Sequence, residues 1–86
     1  MRPIRPTLTL YGHDYCHLCT EMYAALEARR DAMGFDLELV DIEGNAELEA
    51  KFAERVPVLL QGGEEICHYV LDEEALRACL ERAGRA

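Results

Sequence analysis

The alternation of apolar and polar residues predicts that the chain begins with a strand and a helix. In the run Thr7–Tyr11, Leu8 and Leu10 fall on one face, which is the period of a half-buried strand. Apolar residues then recur at helical spacing over the range Leu18–Met33, and Gly34 is suited to cap the end of that helix. The predicted buried face of the helix contains Leu18, Met22, Ala25, Leu26, Ala32 and Met33.

The remaining apolar runs predict three strands and two helices. An alternating run that carries Asp36 and Glu38 suits the edge of a sheet, where charged side chains discourage pairing with other chains. Asn45 and Asp72 stand at the positions of helix N-caps, and Gly62-Gly63 has the length and composition of a tight hairpin turn. In order, these elements are a strand over residues 35–42, a helix over 46–53, strands over 58–60 and 65–70, and a helix from 73 to 83.

The resulting order, β-α-β-α-β-β-α, predicts how the strands pair. A helical crossover joins the first two strands, which should therefore be parallel and connected with the usual right hand. The two-glycine turn joins the last two strands, which should be antiparallel. We predict a single α/β domain over residues 1–86, with a four-stranded mixed sheet and helices on both faces.

The charge and composition of the chain exclude some classes of function. The formal net charge is −8 and there is no basic cluster, whereas binding to nucleic acid or to anionic membranes needs Lys and Arg near the phosphates. No run approaches the roughly 18 apolar residues of a membrane span, and the start, Met1–Pro6, lacks the apolar segment of a signal peptide. We expect a cytoplasmic monomer that binds neither nucleic acid nor membranes.

Candidate chemistry is concentrated in Cys16-His17-Leu18-Cys19, between the first strand, which Gly12 is expected to end, and the first helix. Two thiols in C-x-x-C spacing at such a junction are typical of a thiol–disulfide redox site. A thiol at a helix N-terminus faces unpaired N–H groups that stabilise its anion, and the second thiol follows one helical turn later, more buried. Cys16 is therefore predicted to be the nucleophile and Cys19 the resolving thiol. The neighbouring His17 could stabilise the thiolate by its charge or by a hydrogen bond.

Other interpretations of the cysteines remain open. The motif thiols, with His13 and His17, could supply ligands to a metal, although all of them crowd one loop. The same two thiols could instead carry an iron–sulfur cluster. The chain could also be a binding module in which the pair no longer reacts. Tyr15, beside the motif, is either a surface aromatic or a residue that packs against a substrate. Cys67 and Cys79 are expected to be small buried apolar residues, with a regulatory disulfide between them as the alternative.

The order of elements and two further motifs resemble a known fold. Val56-Pro57 stands just before the predicted third strand, and Gly62-Gly63 forms the hairpin. Together with the C-x-x-C motif, they resemble the thioredoxin fold, and the short length is similar to that of the glutaredoxins. The resemblance covers about residues 7–83.

The resemblance implies roles for individual residues. Cys16 would attack a disulfide and Cys19 would resolve the mixed disulfide. Pro57 would follow a cis bond and face the motif, and the backbone of Val56 would pair with an extended substrate. The predicted substrate-binding residues are Tyr15, His17, Val56 and Pro57.

The resemblance also implies partners. Protein or small-molecule disulfides would be substrates, and glutathione or a thioredoxin-reductase-type flavoprotein would supply electrons. No tightly bound cofactor is expected, with glutathione as a co-substrate. The chain departs from the common glutaredoxin pattern at four places: Asp14-Tyr15 stands where a Lys is common, His17-Leu18 replaces Pro-Tyr, Arg55 replaces Thr, and Val70-Leu71 stands where Gly-Gly is frequent.

Overall fold

The structure of the protein is a computed structural model that describes residues 5–14 and 16–84. Within these residues, strands and helices follow one another in the predicted order. The elements are β1 (Thr7–Gly12), α1 (His17–Met33), β2 (Asp36–Asp41), α2 (Ala46–Phe52), β3 (Val58–Gln61), β4 (Glu64–His68) and α3 (Glu73–Gly84).

The four strands form one mixed sheet in the order β2-β1-β3-β4. β1 pairs with β2 in parallel, and β3 is antiparallel to both β1 and β4, so both predicted pairings are confirmed. β2 lies at an edge of the sheet, as its acidic residues predicted, and the side chains of Asp36 and Glu38 are exposed there.

Apolar side chains cover both faces of the sheet, and the helices divide between these faces. One face packs against α1 and α3, whereas α2 covers the other, so the predicted layering is confirmed. No helix within residues 5–14 and 16–84 combines the length and the apolar character needed to cross a bilayer. The larger core cluster contains Leu8, Leu10, Met22, Leu26, Phe35, Leu59 and Leu76, and the smaller contains Ile42, Phe52 and Val58.

The buried face of α1 differs from the predicted one. Leu18 is 39% exposed and Ala32 is exposed, whereas Cys19, Met22 and Leu26 are buried. These three residues, spaced three and four positions apart, define a single stripe. Leu18 precedes Cys19 by one residue, or about 100° of helix rotation, and therefore points away from that stripe.

Local capping signals in the sequence determine where the elements begin and end. The side chain of Asn45 accepts a hydrogen bond from the N–H of Leu48 at 3.1 Å, and Asp72 accepts one from Ala75 at 3.0 Å. Gly34 ends α1 in the left-handed conformation, with φ of 75°. These caps were predicted, and the structure confirms them.

β4 is shorter than predicted, because it ends at His68 rather than at Val70. Tyr69 has a φ of 65°, a conformation that cannot continue a strand. Its N–H bonds to the carbonyl of Pro57 at 2.9 Å, and the chain then turns toward α3 with Val70 69% exposed. An apolar run therefore continues past the end of the strand and leaves two of its residues at the surface.

A salt bridge between α1 and α3 should make stability depend on pH. Arg29 Nε donates to Glu73 Oε1 at 2.9 Å, and this hydrogen bond together with the guanidinium charge lowers the pKa of Glu73. As the pH falls, Glu73 therefore takes up its proton at a higher pH in the unfolded chain than in the folded one. The stabilisation by the salt bridge is complete above the ordinary pKa of Glu, and it is lost as the pH falls through the lowered pKa of the folded protein. In urea titrations, we expect the free energy of unfolding to decline less over this acid range in Glu73→Gln than in the wild type.

The matched control is Glu74→Gln, which removes the next carboxylate of the same helical turn. This variant should keep the wild-type decline with falling pH. If Glu73→Gln and Glu74→Gln decline in parallel, the ion pair with Arg29 is not the cause of the acid sensitivity.

Candidate active site

The two cysteines of the motif lie at the start of α1 and are joined as a disulfide. Cys16 is the N-cap residue, with extended backbone angles of φ −93° and ψ 110°, and is half-buried. Cys19 lies in the first turn and is only 8% exposed. Cys16 is therefore the more accessible of the two residues, which is the asymmetry expected from the motif.

The Sγ atom of Cys16 occupies the position that a Ser or Asp oxygen takes in other helix caps. It accepts a hydrogen bond from the N–H of Cys19 at 3.1 Å, and the N–H of Thr20 bonds to the carbonyl of Cys16 at 3.2 Å. The first N–H groups of a helix have no partner within the helix and carry its positive dipole end. In the reduced protein, the same N–H would stabilise a Cys16 thiolate and so favour the nucleophilic form.

Gly12 contributes to the site in a way that the sequence did not reveal. Gly12 is the last residue of β1, and a Cβ atom at this position would lie 2.8 Å from the Sγ of Cys19 and 3.2 Å from its Cβ. The backbone of β1 therefore approaches the buried sulfur closely, and a side chain on Gly12 would occupy the space of that sulfur. The only signal in the sequence was a glycine shortly before the motif, which we interpreted as the end of a strand.

The Val56–Pro57 segment reaches the same end of the sheet. Its peptide bond is cis, as the resemblance implied, and Pro57 is fully buried whereas Val56 is half-buried. Tyr11 of β1 is paired with Val58 of β3, so the next step of this antiparallel register puts Pro57 beside Gly12. Because Gly12 lies against Cys19, the proline and the cysteine pair are neighbours in the fold.

His17 does not make the hydrogen bond to sulfur that we considered. Its side chain is 87% exposed, and Nε2 lies 3.2 Å from Oε1 of Glu21, one turn further along α1. The donor to Cys16 is the backbone of Cys19 instead. Tyr15, also predicted to contact substrate, lies outside the described residues.

Carboxylates line the two cavities that border the cysteine pair. The cavity beside Cys19 has a volume of about 250 Å³ and the cavity beside Cys16 about 290 Å³. His13 lines both, and the charged groups among their described lining residues are all carboxylates. The electrostatic environment therefore disfavours additional negative charge near the pair. The acidic residues are Asp14 and Asp41 in the first cavity and Glu43 and Glu49 in the second.

The other two cysteines are separate from this site. Cys79 is buried in α3, Cys67 is half-buried in β4, and neither forms a disulfide. Burial raises the pKa of both thiols, so they remain protonated and poorly nucleophilic at neutral pH. Within residues 5–14 and 16–84, no three His, Cys, Asp or Glu side chains are grouped so that they could hold a metal ion.

The chain is similar in sequence and in fold to known proteins. The family described as Glutaredoxin-like domain (DUF836) matches residues 7–81. An uncharacterized protein of Mycobacterium tuberculosis is 32% identical over 84 residues, covering 92% of this chain and 87% of that protein. The solution NMR structure of a Nitrosomonas europaea protein, 38% identical, has a TM-score of 0.81 and covers 93% of this chain and 98% of that one. Thioredoxin 1 from Thermosipho africanus is 20% identical with a TM-score of 0.59, covering 90% of this chain and 92% of that one, which shows the thioredoxin fold.

Proposed function

This chain belongs to the glutaredoxin-like domain family (DUF836), and from that premise we propose that it is a thiol–disulfide oxidoreductase in which Cys16 and Cys19 react. The observation that carries the proposal is the disulfide at the start of α1, with Cys16 Sγ accepting the N–H of Cys19 at 3.1 Å. This arrangement combines an accessible nucleophile, a nearby second thiol and a group that stabilises the thiolate. Disulfide exchange requires these three features.

The exchange proceeds in two displacements. The Cys16 thiolate attacks one sulfur of the substrate disulfide, the bond between the two substrate sulfurs breaks, and one substrate thiolate leaves and takes up a proton. Cys19 then loses its proton, attacks Cys16 Sγ and releases the second substrate thiol. The substrate gains two electrons and two protons, and the protein is left with the Cys16–Cys19 disulfide.

Substrate binding, in this proposal, uses the loop that precedes β3. Within the described residues, the backbone N–H and carbonyl of Val56 have no hydrogen-bond partner. An extended substrate segment could therefore pair with Val56 in the manner of an added strand. Pro57 is the last residue of this loop before β3. Tyr15 and His17, which adjoin Cys16 in the sequence, are also proposed to contact the substrate.

Reduction of the Cys16–Cys19 disulfide completes the cycle. Glutathione, as a co-substrate, or a thioredoxin-reductase-type flavoprotein would return two electrons to the protein. Because carboxylates line both cavities, the net negative charge of glutathione is repelled near the pair. We expect the rate at which glutathione reduces the Cys16–Cys19 disulfide to rise with salt concentration, because salt screens this repulsion.

Turnover with each reductant tests the proposal. The oxidised protein is mixed with a protein disulfide and with either glutathione plus glutathione reductase or thioredoxin reductase, and NADPH consumption is followed. We expect catalytic turnover with at least one of the two systems, and retention of that turnover in a Cys67→Ser/Cys79→Ala variant. The proposal fails if no system turns the protein over, or if the freshly purified protein carries stoichiometric zinc or an iron–sulfur cluster on Cys16 and Cys19.

A further inference from the structure

Tyr69 has an unusual backbone conformation next to the proposed substrate-binding loop. Among the described residues, it is the non-glycine residue with a positive φ, at 65°. L-residues with a side chain rarely adopt this conformation, because the Cβ atom approaches the carbonyl that follows. Such a conformation persists only where surrounding contacts hold it, and it occurs preferentially at functional sites. The contacts of Tyr69 therefore require an explanation.

Two hydrogen bonds from Tyr69 hold both ends of one short segment. Its backbone N–H donates to the carbonyl of Pro57 at 2.9 Å, and its hydroxyl donates to the carbonyl of Glu54 at 2.6 Å. We refer to residues 54–57 as the proline loop. The two acceptors flank Arg55 and Val56, so a single residue fixes the start and the end of the loop.

A network of side chains supports the same loop from β4. The guanidinium of Arg55 contacts the carboxylate of Glu65, and it also donates to the carbonyl of Lys51 at 3.1 Å. The second oxygen of Glu65 lies 2.8 Å from Nδ1 of His68, whose ring meets the Tyr69 ring edge-on at 4.7 Å. The guanidinium of Arg55 thus stabilises the loop through its contacts with Glu65 and with the carbonyl of Lys51.

The proline loop lies beside the reacting pair. Pro57 directly precedes Val58, which is paired with Tyr11 of β1. Tyr11 is followed by Gly12, and Gly12 lies against the sulfur of Cys19. The carbonyls that Tyr69 holds are those of Glu54 and Pro57, whereas the backbone groups of Val56, between them, have no partner among the described residues. Tyr69 therefore constrains the loop without using the groups that could pair with a substrate.

We propose that Tyr69 is a positioning residue for extended disulfide substrates: by holding the carbonyls of Glu54 and Pro57, it keeps the backbone of Val56 in place to pair with the chain that carries the disulfide. This inference rests on the proposed function and adds the means by which peptide substrates are distinguished from small ones. A small disulfide has no strand to pair with Val56. Tyr69 consequently acts on substrate binding and not on the reactivity of Cys16.

Tyr69→Phe tests the inference, because it removes only the hydroxyl that bonds to Glu54 and keeps the aromatic ring. With a disulfide-linked extended peptide as substrate, we expect KM to rise about three- to tenfold, the effect of one hydrogen bond, with kcat nearly unchanged. With 2-hydroxyethyl disulfide, both constants should match the wild type. The rate of iodoacetamide alkylation of Cys16 should also be unchanged, and amide hydrogen exchange of residues 54–57 should accelerate.

The outcomes separate this inference from the proposed function. If the wild type exchanges neither disulfide, the proposed function fails. If the wild type exchanges both but Tyr69→Phe has the wild-type KM for the peptide, or loses activity on both substrates alike, Tyr69 is not a positioning residue for extended substrates. Arg55→Gln provides a second variant of the same loop, and an unchanged peptide KM in both variants would overturn the inference even if one of them were destabilised.

Discussion

Replacing Cys16 by Ser is expected to reduce disulfide exchange by about two orders of magnitude or more, because losing the nucleophile removes the reaction path itself. Ser is a favourable N-cap residue, so its oxygen should accept the N–H of Cys19 in place of the sulfur and α1 should keep its start. A loss of activity in this variant would therefore report chemistry and not unfolding. Far-ultraviolet circular dichroism and the midpoint of thermal unfolding check this point.

The companion variant, Cys19→Ser, is expected to stop the reaction one step later. Cys16 can still attack, but nothing inside the protein can displace the substrate, so a mixed disulfide should accumulate. Intact-mass spectrometry after incubation with oxidised glutathione or a peptide disulfide measures the adduct, and digestion locates it on Cys16. Equal adducts in Cys16→Ser and Cys19→Ser, or an adduct on Cys67, would show that the roles are assigned wrongly.

Gly12→Ala is expected to weaken the oxidised state of the pair more than the reduced state. The new Cβ would lie 2.8 Å from the Sγ of Cys19, a distance that requires the sulfur or the backbone to move. In the reduced protein, the Cys19 thiol can change rotamer to relieve this contact, whereas the bond to Cys16 prevents the movement in the disulfide. Overpacking of this kind costs about 1–3 kcal/mol.

The expected consequence is a less negative reduction potential for Gly12→Ala. If the whole cost falls on the oxidised state, the shift is roughly 20–65 mV for a two-electron couple. Equilibration with glutathione redox buffers, followed by alkylation of free thiols, measures it. The free energy of unfolding of oxidised Gly12→Ala should be lower than that of the oxidised wild type by the same overpacking cost, about 1–3 kcal/mol.

A double-mutant cycle identifies the cause of this effect. In a Cys19→Ala background the sulfur is absent, so the cost of Gly12→Ala in unfolding free energy should be clearly smaller than in the oxidised wild type. If the cost is the same in both backgrounds, the contact with Cys19 Sγ does not explain it, and the effect belongs to β1 alone.

The structure provides a physical explanation for one departure from the common glutaredoxin pattern. Arg55 stands where Thr is common, and its guanidinium is engaged with Glu65 and the carbonyl of Lys51. The side chain of Arg55 therefore stabilises the proline loop through these two contacts within the protein.

Local sequence was sufficient to predict the order of the elements and two of the three strand pairings. Leu8 and Leu10 alternate with polar residues, Gly34 and Asn45 stand at helix ends, and Gly62-Gly63 can adopt the positive φ values that a tight hairpin requires. Each of these signals acts between residues a few positions apart, so it can be recognised from the sequence without knowledge of the fold. Two strand pairings then followed from connection lengths, and the C-x-x-C motif indicated the pair that is proposed to react. The antiparallel pairing of β1 with β3 did not follow from any connection and is seen only in the structure.

The sequence was less reliable where a residue's environment comes from distant parts of the chain. Leu18 was predicted to be buried because it is apolar, but the sheet meets α1 along the stripe of Cys19, Met22 and Leu26. The run to Val70 was interpreted as a strand, although a hydrogen bond from Tyr69 to Pro57 turns the chain there.

The sequence by itself thus determined the order of elements, their caps and the position of the two thiols at the start of a helix, because these depend on neighbouring residues. Only the tertiary structure decided what surrounds the thiols: Gly12 against Cys19, Pro57 beside Gly12, and Tyr69 holding the proline loop. The physical reason is that these contacts join residues on different elements, from 7 to 45 positions apart in the chain, and depend on how β1, β3, the residues around β4 and α1 pack together.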